Sequence, residues 1–201
     1  MKDKHIRARI EACLALAACS NCPRGKHGAM LLDPERNVVL ADGYNGAPRG
    51  GGELCGGSYC LRNGLDRTSM HILPEGGDLT IQVDGRVLER YPKTTRNRDL
   101  WARMDALATP PIPSGTNTEV GCHHAEMNVI CNAAANGTAT KGGWLIVTGE
   151  PCRMCAKLIH HAGIVKVLVV NGGYGGPNGV GYLRKHGVEV TSYSVSDRGI
   201  T

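Results

Sequence analysis

Residues Val165 to Val170 form a nearly unbroken apolar run, interrupted only by Lys166, whose short length and β-branched content suit a strand buried on both faces. Such a strand needs helices above and below it, and the flanking sequence supplies them. A helix from about His124 to Ala135 closes at Asn136-Gly137 and is followed by a strand over Trp144 to Thr148. A second helix begins near Cys152, and a short helix over Val180 to His186 leads into a last strand, Val188 to Tyr193. This alternation predicts a three-layer α/β/α fold around a mixed sheet of about five strands.

The first half fits around that frame. Ile6, Ile10, Cys13, Leu14 and Ala17 fall on one face of an N-terminal helix. The basic start followed by Leu16-Ala17-Ala18-Cys19 looks like a lipoprotein leader, but Glu11 spoils the apolar run and the helical reading is preferred. Gly28 to Leu32 and Asn37 to Leu40 read as a hairpin turning at Asp33-Pro34-Glu35-Arg36, before a glycine-rich loop from Tyr44 to Gly57. Residues 61–120 read as an insertion within a single domain of residues 1–201. Inside it, Leu79 to Val83 and Arg86 to Tyr91 flank the two-residue turn Asp84-Gly85, and Asn97 to Ala108 forms a helix that Pro110 and Pro111 end.

Composition removes several classes of function. No apolar run approaches the roughly eighteen residues of a membrane span. A net charge of +5 is mild for a nucleic-acid binder, and with aromatic residues at 4% and no Phe there is little to stack on bases, so a small anionic partner is expected instead. Nine cysteines cannot all pair within the chain, which points to metal ligation in a reducing, cytoplasmic setting.

Two segments carry chemistry: His124-Ala125-Glu126 at one helix start, and Pro151-Cys152-Arg153-Met154-Cys155 at another, directly after a strand. Cysteines three apart in the first helical turn can face one ion, and the free N–H groups and dipole there favour thiolate. His124, Cys152 and Cys155 therefore form a three-ligand zinc set that keeps a fourth position for water and lowers its pKa toward ~7. Glu126 is placed to carry protons to and from a bound heterocycle. Taken singly, Pro-Cys-x-x-Cys also suits a redox pair or a structural zinc site; the conjunction with His-x-Glu is the order found in zinc nucleobase deaminases.

The sequence resembles the cytidine deaminase superfamily and, within it, the deoxycytidylate (dCMP) deaminases. Besides the zinc segments, the likeness rests on Cys22-Pro23-Arg24 ahead of His27-Gly28-Ala29, on Gly43-Tyr44-Asn45-Gly46-Ala47-Pro48-Arg49-Gly50, on His124-Ala125-Glu126-Met127-Asn128, and on Cys155-Ala156-Lys157-Leu158-Ile159. It covers most of the chain outside the insertion. The resemblance implies conversion of dCMP to dUMP and ammonia, with Glu126 catalytic and zinc on His124, Cys152 and Cys155. It implies substrate contacts from Asn45 at the sugar, from Tyr174 and Ala125 near the base, and from Arg24 and Arg49 at the phosphate. It further implies a homo-oligomer, commonly a hexamer, with dCTP and dTTP as effectors in some members. His27 stands where the family usually has Val. The rivals are the same chemistry on dCTP or a 5-substituted dCMP, and a non-catalytic nucleotide-binding protein on the same scaffold.

Cys22, Cys55 and Cys60, with Cys122 or His123, form a candidate second zinc cluster of structural kind, as in some phage and bacterial relatives. Cys13, Cys19 and Cys131 read as small core residues, and His160 and His161 as helix C-terminal cations. Arg86, Arg90, Lys93, Arg96 and Arg98 read as a solvated face, with an anion-binding surface as the alternative.

Overall fold

A computed structural model describes residues 1–47, 60–111, 122–172, 179–196 and 199–200. Its main sheet has five strands in the order β2-β1-β6-β7-β8: β1 (Gly28–Asp33), β2 (Val38–Tyr44), β6 (Trp144–Val147), β7 (Lys166–Val170) and β8 (Glu189–Tyr193). β1 pairs antiparallel with β2 and β6, while β6, β7 and β8 run parallel. The mixed sheet expected from the sequence is present.

The strands alternate their side chains between two cores, as period-two geometry requires. Ala29, Leu31, Leu145, Val147, Val167 and Val169 face helices α3 (Ala125–Ala135), α4 (Arg153–His161) and α5 (Val180–Lys185). Met30, Leu32, Ile146, Leu168 and Val170 face α1 (Asp3–Ala17) through Ile6, Ile10 and Cys13. Every one of β7's residues after Lys166 is buried, which is why that run carries no alternating polar residue. Burial pushes the Cys13 thiol up to about 12, as expected of a core cysteine. Cys131 on α3 and Cys19 beyond α1 are instead exposed, which corrects their reading as core residues. The α3 helix is apolar on several sides, and only its contact with the sheet decides which side is covered.

β2 runs four residues further than the hairpin reading allowed, through Asp42-Gly43. Helix α3 lies so close to this edge strand that a Cβ on Gly43 would stand 2.8 Å from the Val129 nitrogen. Asn132 and Asn128 donate to the carbonyls of Asp42 and Tyr44, each at 2.7 Å, and so satisfy edge groups that would otherwise lack a partner.

Between these halves lies a separate antiparallel sheet of β3 (His71–Glu75), β4 (Asp78–Val83) and β5 (Arg86–Pro92), followed by α2 (Asn97–Leu107). Asp84 and Gly85 adopt positive φ of 48° and 74°, the geometry of the expected tight turn. Ile81, Val83, Leu65, Met70 and Met104 form its own small core. Two short strands, β9 (Val195–Ser196) and β10 (Gly199–Ile200), form a terminal ribbon.

Candidate active site

The functional residues collect at one end of the five-stranded sheet, beyond the carboxyl ends of β6 and β7, where open α/β sheets leave a crevice. His124 caps α3 and Cys152 caps α4, so each ligand stands at a helix start with free N–H groups around it. The Cys152 sulfur accepts the Cys155 backbone N–H at 3.4 Å. The closeness of the two helix starts is enforced locally. A bridge between His123 and Gly46, at 2.9 and 3.1 Å, fastens the lead into α3 to the turn after β2, and Gly179 donates to the Pro151 carbonyl at 2.7 Å. A Cβ on Gly179 would stand 2.4 Å from that of Ala156, so only glycine fits against the Cys152 turn.

His124 Nδ1 lies 3.6 Å from the Cys152 sulfur and 3.5 Å from that of Cys155. Zinc with bonds of about 2.3 Å to sulfur and about 2.0 Å to nitrogen, at tetrahedral angles, requires a nitrogen–sulfur separation of about 3.5 Å. The residues therefore fit the ion. Among the described residues this is the one set of three His, Cys, Asp or Glu side chains whose ligand atoms all lie within 4.8 Å of one another. Hydrogen bonding from Cys155 holds the Cys152 thiol down at about 4, while the same contact and burial push Cys155 up. The pocket is thus already built around one thiolate, and His124 is raised above the ordinary imidazole range chiefly by its contact with Cys152.

Glu126 is 8% exposed and makes no ion pair with Lys or Arg among the described residues. Burial pushes its carboxyl above the usual carboxylate range, the direction that suits a group exchanging protons with a substrate. Ala125 is buried beside it.

The other expected residues divide. Asn45 donates through Nδ2 to the Gly25 carbonyl at 2.9 Å and accepts the His27 N–H on Oδ1 at 2.8 Å, so it organises the loop before β1. Arg24 is exposed and donates to Asn63 at 3.3 Å. Arg49, Cys55 and Tyr174 lie outside the described residues. Cys60 is buried and Cys22 and Cys122 half-buried, but these and His123 make no second set of three among the described residues. Arg90 pairs with Glu75, and Arg96 and Arg98 with Asp99, in keeping with a solvated face. His160 and His161 fall in the last turn of α4, as expected.

Sequence reasoning missed three supports. Ser20, buried, donates to the Asn45 carbonyl at 2.8 Å; Thr148 Oγ1 accepts the Gly28 N–H at 2.8 Å; and Arg62, in the 3-10 turn Leu61–Asn63, acts electrostatically on His124. Only the position of Thr148, directly after an apolar strand and ahead of the cysteines, gave a signal.

The comparisons agree with this geometry. The family model for the cytidine and deoxycytidylate deaminase zinc-binding region matches residues 3–171. The deoxycytidylate deaminase of Enterobacteria phage T4 is 29% identical over 150 residues, covering 74% of this chain and 68% of the phage protein. That of phage T2 is 30% identical over 149 residues, covering 74% and 70%. In fold, the chain is similar to the dCMP deaminase of cyanophage S-TIM5, solved in apo form, with a TM-score of 0.59 at 22% identity over 96% of this chain and 99% of that one. The same phage enzyme, solved in complex with dCMP and dUMP, gives a TM-score of 0.59 at 23% identity over 96% and 98%. A match spanning both helix starts and the sheet between them leaves no separate origin for the zinc ligands and the fold, and the chain belongs to the cytidine and deoxycytidylate deaminase family of zinc-dependent hydrolytic deaminases.

Proposed function

We propose that this deaminase converts dCMP to dUMP and ammonia. The observation that carries the reading is a buried Glu126 beside a three-ligand set, in a chain similar to phage enzymes named deoxycytidylate deaminases. His124, Cys152 and Cys155 would hold zinc, which would supply an acidified water as the nucleophile for C4 of cytosine. Glu126 delivers a proton to N3 as C4 becomes tetrahedral, then carries a proton to the departing N4, so that dCMP and water leave as dUMP and ammonia. Ala125 lies against the base, Asn45 and Tyr174 frame sugar and base, and Arg24 and Arg49 take the phosphate. Arg24 is exposed near the Asn45 loop, where an anion can reach it.

Ammonia release from dCMP, dCTP, 5-methyl-dCMP and deoxycytidine, measured with zinc content, tests the substrate. The expected outcome is about one zinc per chain at the His124 set and the highest kcat/KM on dCMP. Equal turnover of deoxycytidine overturns the phosphate roles of Arg24 and Arg49, and preference for dCTP or the 5-substituted nucleotide moves the assignment to that rival. A second zinc per chain supports the structural cluster of Cys22, Cys55, Cys60 and Cys122 or His123.

A cytoplasmic homo-oligomer, regulated by dCTP and dTTP, belongs to the same reading. The eight described cysteines are free, and Met154 and Leu158, one turn apart on α4, are exposed apolar side chains suited to a second copy. Light scattering with and without each effector tests this; a monomer indifferent to both nucleotides removes it.

A further inference from the structure

Two histidines that take no part in the proton route meet where α4 and α5 end. His160 lies in the last turn of α4, His186 caps the carboxyl end of α5, and both are exposed. Their ring centres stand 5.1 Å apart, with the planes tilted by 56°. Tyr182 joins them: its ring stacks on His186 at 4.0 Å, with 23° between the planes, and meets His160 edge-on at 6.1 Å. The pair is separate from the zinc ligands. His160 follows Cys155 by five residues, about 7 to 8 Å along the helix axis and about 140° around it, so Cys155 is buried while His160 faces solvent.

The tautomer of His186 is fixed by its own helix. Its Nδ1 lies 2.8 Å from the Tyr182 carbonyl, which can only accept, so Nδ1 carries the proton and Nε2 of the neutral ring keeps a bare lone pair. Tying one ring nitrogen to a backbone carbonyl is how metal-ligating histidines are oriented. The spacing of the rings suits a shared ion as well. With metal–nitrogen bonds of about 2.0 to 2.1 Å and angles of about 90° to 109° at the ion, two imidazole centres stand about 4.5 to 5.2 Å apart. Both histidines also sit at helix carboxyl ends, where the dipole favours a cation.

Imidazole suits zinc, nickel and copper, whereas magnesium and calcium take oxygen ligands. We propose that His160 and His186 form a two-histidine site for a divalent transition-metal ion, completed by water, that clamps the end of α4 to the end of α5.

The test is a calorimetric titration of Ni²⁺ into the zinc-loaded enzyme, whose catalytic ligands are already filled, and into zinc-loaded His160→Gln, His186→Gln and His161→Gln. One Ni²⁺ per chain is expected in the wild type, bound at least about tenfold more weakly by each of His160→Gln and His186→Gln. His161→Gln, the neighbouring exposed histidine, should bind as the wild type does, and Mg²⁺ should bind to none of them. Ni²⁺ should also slow amide exchange in α5 of the wild type but not of His186→Gln. A nickel ion held by cysteines instead would bind both histidine variants with wild-type affinity; that result, or no Ni²⁺ beyond the zinc, overturns the proposal. Without Ni²⁺, His160→Gln and His186→Gln should turn over dCMP at the wild-type rate, so failure of this site leaves the deaminase reading standing.

Discussion

The two sheets of this chain treat polar groups in opposite ways. Around the five-stranded sheet, Glu126 and Thr148 are buried at one end, and Glu126 has no basic ion-pair partner among the described residues. In the three-stranded sheet, the buried Thr80 is hydrogen-bonded to the Leu73 carbonyl, and the charged groups sit outside as ion pairs: Glu75 with Arg90, Glu89 with Arg103, Asp105 with Arg67. A buried carboxyl without a basic partner is costly, whereas solvated pairs cost and gain little. The first region therefore holds a polar group at some expense of stability, whereas the charges of the second, among the described residues, are paired at its surface.

Removing the metal makes the sharpest cut between them. Chelation, or His124→Ala, is expected to abolish deamination and to weaken amide protection around α3 and α4 while leaving β3 to β5 protected, as hydrogen exchange would record. Equal loss of protection in both sheets would mean they unfold as one unit. Next in size, Glu126→Gln should keep zinc but lower kcat by roughly 10² to 10⁴-fold, the usual range for a lost general acid–base. Glu89→Gln, the corresponding change in the other region, should leave kcat alone. A wild-type rate in Glu126→Gln would refute its catalytic role.

Core truncations probe the same division through packing. Leu168→Ala, in the middle of β7, and Ile81→Ala, in the middle of β4, each open a cavity beneath a fully buried side chain and should cost about 2 to 5 kcal/mol. The expected difference lies in where that cost appears. Leu168→Ala should lower the unfolding midpoint of the whole chain and its activity at elevated temperature. Ile81→Ala should loosen exchange in residues 71–92 and leave the zinc ligands loaded.

What could be read in advance follows from how local each signal is. The β7 run and the ligands His124, Cys152 and Cys155 declare themselves over a few residues, because a helix start and a buried strand are short-range patterns. β3 escaped notice because Pro74 and three other exposed positions hide it among loop residues, and proline is tolerated only because β3 is an edge strand. The extension of β2 through Asp42-Gly43 is supported by amides that α3 brings from more than eighty residues away, so the strand reading stopped at Leu40. Ser20 and Arg62 meet their partners through tertiary contacts with no sequence spacing to mark them. The same holds for Cys131, whose exposure is set by which side of α3 meets the sheet.

The smallest effect is also the most direct measure of how little the insertion's charges contribute. Arg103 donates to Glu89 at 2.8 Å, and this contact holds the Glu89 carboxyl below the usual carboxylate range. A depressed folded-state pKa means that the pair's stabilisation is present above the ordinary carboxylate range and is lost as pH falls through the folded value. Because Arg103 is nearly half exposed, water and salt screen the pair, and Arg103→Ala should destabilise only slightly at neutral pH. The urea midpoint of the β3–β5 unit should thus fall slightly at pH 7 and converge with the wild type in acid. A variant whose deficit persists in acid would show that Arg103 contributes through the packing of its stem instead of its charge, and a loss of deamination alongside it would end the separation of the two regions.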